Sequence, residues 1–150
     1  MDILGAVVAG VMGTVVFSVL MAAGPRMGLP KMAIWEILGS MFDKDGNTGL
    51  GWALHFMMGV VFALVYAALW SAGIGSATVA GGLVFGIAHF LIAGAMMGGL
   101  PVMHAGVKAG TTQAPGVLML NAGVMGFMGG LVLHAVYGVT VALFYSIFAG

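Results

Sequence analysis

Residues 51–66 read GWALHFMMGVVFALVY, and residues 130–145 read GLVLHAVYGVTVALFY. Eight of the sixteen aligned positions are identical: Gly, Leu, His, Gly, Val, Ala, Leu and Tyr. Neither copy holds an Asp, Glu, Lys or Arg. A helix that crosses a bilayer needs about 20 mostly apolar residues, and both copies sit inside runs of that length. The fold question is therefore about membrane spans, and the functional question is why each span keeps a histidine.

Four such runs lie along the chain, at residues 3–23, 50–70, 79–100 and about 121–148. Only 5% of the 150 residues are charged and 62% are hydrophobic, with a mean hydropathy of +1.19. A water-soluble domain carries about 25% charged residues, so most of this surface must face lipid or other membrane subunits. The first run opens with no positive segment and reads as a retained helix, not a cleaved leader. It aligns with the third run at an offset of 71, and both end in Gly-Leu-Pro-x-Met, at Gly28–Met32 and Gly99–Met103. The second and fourth align at an offset of 79. The chain thus reads as one integral-membrane domain made of two tandem hairpins, about 1–75 and 76–150. Two-span units insert in the same sense, so the expected pseudo-two-fold axis runs along the membrane normal.

Charge orients the hairpins. Arg26, Lys31 and Lys44 fall in the first long connector and Lys108 in the second, and these are all the Lys and Arg residues of the chain. The positive-inside rule then puts both connectors in the cytoplasm and both termini outside. Net charge is zero, which gives no basic surface for nucleic acid. With no cysteine, disulfides, thiol catalysis and Cys-ligated metals are excluded.

The first connector holds an apolar stretch at residues 30–42, with Trp35 and a narrow polar stripe of Glu36, Gly39, Ser40 and Asp43. It predicts a short interfacial helix, or one packed on a neighbouring subunit. Asp43-Lys44-Asp45-Gly46-Asn47 looks like the start of a calcium loop. It lacks the glycine at position 6, where Thr48 stands, and the glutamate at position 12, where Leu54 stands. A solvated turn is the reading that remains.

Gly51, His55, Gly59, Ala63 and Tyr66 lie on one helix face, as do Gly130, His134, Gly138, Ala142 and Tyr145. Each histidine therefore sits on a seam of small residues where something approaches closely. A neighbouring helix is one candidate, with the histidine as a hydrogen-bonding group. A haem b is another, with His55 and His134 as axial ligands from related helices. A metal ion or proton relay is a third. His89 falls at similar depth and could join the pair, although its counterpart in the first half is Ser18. His104, just after Pro101, reads as interfacial. Fourteen methionines raise Cu(I). However, neighbours such as Met57-Met58 and Met96-Met97 point to different helix faces, so a pair is no chelate, and methionine also fills apolar gaps. No metal site is therefore assigned.

No hydrolase elbow, phosphate loop or HExxH run is present, and no span holds paired carboxylates, so no catalytic residue is assigned. The layout, the Gly-Leu-Pro connectors and the Met- and Gly-rich composition resemble small bacterial four-helix integral-membrane proteins, a likeness that implies the fold and an inner-membrane location but no activity. The expectation is an all-α, four-span protein acting as a non-enzymatic accessory subunit of a larger membrane complex, respiratory or photosynthetic, or as a homo-oligomer. A haem-binding electron-transfer subunit and a small oligomeric transporter or channel are the alternatives.

Overall fold

Each span starts where a short polar side chain can cap a free helix end. The computed structural model describes residues 1–148, and all regular structure among them is helical. Asp2 accepts from the Gly5 amide (2.8 Å) and opens α1, Ile3–Ala23. Asn47 accepts from the Leu50 amide (2.9 Å) and opens α3, Thr48–Ser71. Thr78 accepts from the Gly81 amide (3.1 Å) and opens α4, Val79–Met97. Such caps satisfy amides that the helix itself leaves unpaired. The last span, α7, covers Gly123–Phe148. These four helices are long and apolar enough to cross a membrane, so the chain is a multi-pass, all-α membrane protein. Their outward faces are aliphatic, with Val19, Val61, Val84, Ile92 and Val132 exposed, as contact with lipid requires.

Two boundaries differ from the hydropathy reading. α4 stops at Met97, where Gly98-Gly99 weakens the helix before a separate turn, α5, Leu100–Met103. The fourth span starts at Gly123, whose φ of 74° breaks it from a 3-10 segment, Val117–Ala122. The connector helix α2 is also shorter than the apolar stretch suggested, Ile34–Gly39. It packs on the chain's own α3: the Trp35 and Trp52 rings stack at 4.3 Å and 9°, and a methyl added to Gly51 would fall on the Trp35 carbonyl.

The spans form a ring in the order α1, α3, α4, α7. α1 and α3 meet at Gly10, Gly59 and Ala63, and α4 and α7 meet at Gly82, Gly86, Gly138 and Ala142. Gly13 of α1 admits the Tyr137 ring and Val141 of α7. α3 and α4 stay further apart and touch through aromatic side chains, Tyr66 on Phe85 (5.1 Å) and Phe62 on His89 (3.7 Å). Small residues thus draw three of the four pairs together, as in membrane bundles generally.

Both connectors lie at one end. Ala105 N donates to Met41 O (2.9 Å), Gly106 N to Ser40 O (3.0 Å) and Thr111 Oγ1 to Lys44 O (2.8 Å). His104 is fully buried between them: its Nδ1 accepts from Val107 N (3.1 Å), capping α6, Ala105–Ala109, and its Nε2 donates to Ile37 O (2.7 Å). The Asp43–Asn47 stretch is a solvent-facing turn whose Asp43 carboxylate accepts from the Asp45 amide (3.1 Å). At the opposite end Asp2 N donates to the Tyr145 hydroxyl (3.1 Å). There the bundle is filled by Ala6, Ala9, Ala67, Trp70, Val141 and Tyr145. Towards the connectors the ring opens.

Candidate functional site

Where the ring opens, a cavity of about 90 Å³ lies between the spans. His55 from α3, His89 from α4 and His134 from α7 all line it. Thr14, Gly59 and Tyr137 line it towards the closed end, and Tyr137 donates its hydroxyl hydrogen to Gly59 O. Met32, Ile34, Ile37 and Leu38 of the first connector line it towards the other.

The hydrogen bonds decide each imidazole's tautomer. Ser18 gives its one hydroxyl hydrogen to Thr14 O (2.7 Å), so at its contact with His55 Nε2 (3.0 Å) it can only accept. Tyr66 gives its hydrogen to Phe85 O (3.0 Å), so at His89 Nδ1 (3.2 Å) it too accepts. His134 Nδ1 faces the Gly130 carbonyl (2.8 Å), which cannot donate. Each histidine is thus held through one ring N–H on a hydroxyl or carbonyl oxygen. The other nitrogen of each, His55 Nδ1, His89 Nε2 and His134 Nε2, has no protein partner among the described residues.

The three rings are not equivalent. His89 and His134 touch edge to face, with centroids 4.8 Å apart at 86°. The Phe17 ring stands against both His55 (5.6 Å) and His134 (5.1 Å). A haem gripped by His55 and His134 would have to displace Phe17. One gripped by His89 and His134 would have to force apart rings already in contact. The volume points the same way, since a cavity of about 150 Å³ is what takes a single benzene ring. The residues present do not fit a haem.

The seam residues divide by partner. Gly59 receives the Thr14 side chain of α1, and Gly138 receives the Gly82 and Gly86 backbone of α4. Ala63 and Ala142 are fully buried. Gly51 and Gly130 receive connector groups instead: the Trp35 carbonyl at Gly51, and Met119 Sδ, with Phe90, at Gly130. Met119 gets there through strained backbone. Leu118 and Met119 hold φ of 51° and 62°, a left-handed conformation that costs a non-glycine residue about 1–3 kcal/mol.

Five methionines line the cavity, Met21, Met32, Met58, Met97 and Met119. Met58 and Met97 each come from a Met-Met pair whose other member, Met57 or Met96, is exposed. A pair is indeed no chelate, but one sulfur from each pair meets others from different elements, which periodicity alone did not reveal. A second, polar cleft of about 630 Å³ lies between the connectors, with Glu36, Lys44, Asp45 and Gln113 in its walls. It shares Met32, Ile37 and Met119 with the histidine cavity, so these three side chains form the partition between an outer and an inner chamber. No three His, Asp or Glu among the described residues stand close enough to share a metal ion. Compared with protein-family models, with curated proteins and with solved structures, the chain matches none.

Proposed function

We propose that this chain is a non-enzymatic membrane subunit that holds a small guest in the chamber between its spans. The observation that carries the reading is the set of three imidazoles, each fixed in one tautomer and each left with an unpartnered nitrogen at the same cavity. The three histidines are half-buried and line one cavity, so a guest there can meet a nitrogen of each. The guest is smaller than an aromatic ring, as the volume requires.

The chain works as part of a larger membrane assembly or as a homo-oligomer. We assign the protein to a bacterial inner membrane with the connector end in the cytoplasm, because all four Lys and Arg residues are there.

Native mass spectrometry of the gently extracted chain tests the chamber. A bound species carried by the wild type and lost from His134→Ala supports it. Equal masses without any bound species remove it. A visible spectrum of the same sample separates a coloured cofactor from a colourless guest. Migration with other subunits on a native gel supports the assembly role, and a chain that runs alone with its guest retained removes that role.

A further inference from the structure

We propose that the guest is a soft monovalent cation, Cu(I), held by His89 Nε2 and His134 Nε2 and completed by the Met119 thioether. This rests on the chamber reading above and names its ligand. Imidazole nitrogen and thioether sulfur together select Cu(I) among biological metals. The ring contact between His89 and His134 puts two donor groups from different helices side by side. Each is held by its other nitrogen, His89 on Tyr66 and His134 on Gly130 O, which is how metal-bound histidines are oriented.

Met119 supplies the third donor. Its sulfur lies over Gly130, one turn from His134, and the absence of a Gly130 side chain is what admits it. Two consecutive left-handed residues bring it there. A sequence that only needed an apolar plug has no reason to keep that backbone, and a thioether ligand supplies one. Charge narrows the ion further. No span contains Asp or Glu, so nothing at this depth balances the second charge of Zn(II) or Cu(II), and neutral soft donors suit a monovalent ion. Met119 and Met32 divide the chamber from the outer cleft, whose carboxylates Glu36 and Asp45 are paired with Lys31 and Lys44.

The test uses the full chain in lipid nanodiscs, with Cu(I) under reductant and Ag(I) as an air-stable substitute. Retention is read by competition with a chromophoric Cu(I) chelator, and the ligand shell by X-ray absorption. The expected result is one ion per chain with nitrogen and sulfur neighbours. Met119→Leu, which keeps volume and shape, removes the sulfur shell. Tyr66→Phe, which frees the His89 ring without touching the ion, weakens retention by roughly 10- to 100-fold. Met57→Leu, on the lipid face, leaves retention at the wild-type level. Failure to retain either ion, or unchanged retention and shell in both Met119→Leu and His134→Ala, overturns the proposal. A chain that keeps neither ion but still carries a bound species lost from His134→Ala overturns copper and leaves the chamber reading standing. If that species is absent too, both fall.

Discussion

Gly138→Ala tests the packing of α4 on α7. A methyl built on Gly138 runs into the Gly82 carbonyl and comes within 2.8 Å of both the Cα and the N of Gly86. Every one of these atoms is backbone, so no rotamer change relieves the overlap, and α4 must move outward as a unit. Carbon atoms pack best at about 3.5–4 Å, so the move is on the order of 1 Å. It also pulls Ala142 from Gly82. Overpacking of this kind costs about 1–3 kcal/mol, and the rigid partners put this case near the top of that range. Alanine gains about 1 kcal/mol over glycine in helix propensity, which leaves a net loss of about 2 kcal/mol. That is roughly 30-fold in the unfolding equilibrium. Reversible unfolding in mixed micelles at rising SDS fraction reads it. Gly99→Ala is the control, because its methyl meets only Met96 O, at 3.4 Å. At Gly59 the obstacle is the Thr14 side chain, so Thr14→Ala should recover most of the loss caused by Gly59→Ala. A Gly138→Ala protein within about 0.5 kcal/mol of wild type, the range of ordinary surface changes, would refute the backbone-contact argument.

Three further outcomes are expected. His104→Ala removes both the cap of α6 and the tie to Ile37 O; a lost cap costs about 1 kcal/mol, and hydrogen exchange should rise across Ala105–Ala109 with little change in α7. Phe17→Ala removes the ring between His55 and His134; it destabilises by about 3 kcal/mol, and added benzene should then stabilise the variant but not the wild type. Membrane orientation is read with cysteines placed in a chain that has none: a thiol reagent that cannot cross the membrane should label Ser76→Cys on whole cells and Lys108→Cys only after lysis, and the reverse pattern would turn the protein over.

The four spans were legible because charge is absent from them and frequent turns are absent too, which leaves little else for such runs to be. The ends were less so. Hydropathy runs through Gly98-Gly99 and through Asn121, whereas the helix stops where glycine makes a turn cheap or takes a positive φ. The seam at residues 51–66 and 130–145 was also readable, since small residues one turn apart signal close approach. What approaches was not. Gly51 and Gly130 look alike in sequence, yet the first admits a connector carbonyl and the second a connector thioether beside the Phe90 ring of α4. Met58 and Met57 cannot be told apart by periodicity on a helix that is apolar all round; only the packed ring decides which faces inward. The Leu118–Met119 backbone is the least legible feature, because no residue type there advertises a left-handed conformation.

His55 and His134, at matching places in two similar stretches of sequence, meet different partners. Position 18 faces position 55 across α1 and α3, and its counterpart, position 89, faces position 134 across α4 and α7. In the first half the facing residue is Ser18, whose hydroxyl ties down His55 at 3.0 Å. In the second it is His89, which presents a ring to His134 and takes its own hydrogen-bond partner, Tyr66, from the first half. The serine-for-histidine difference thus leaves one histidine facing a hydroxyl and the other facing a second imidazole. The connectors differ in the same direction. The first lays a backbone carbonyl against Gly51, and the second, longer by eight residues in the alignment, carries a sulfur to Gly130. One half has the composition of a packing joint and the other that of a donor set. Helix packing alone asks for no such difference between the two similar spans, and an off-centre ligand does.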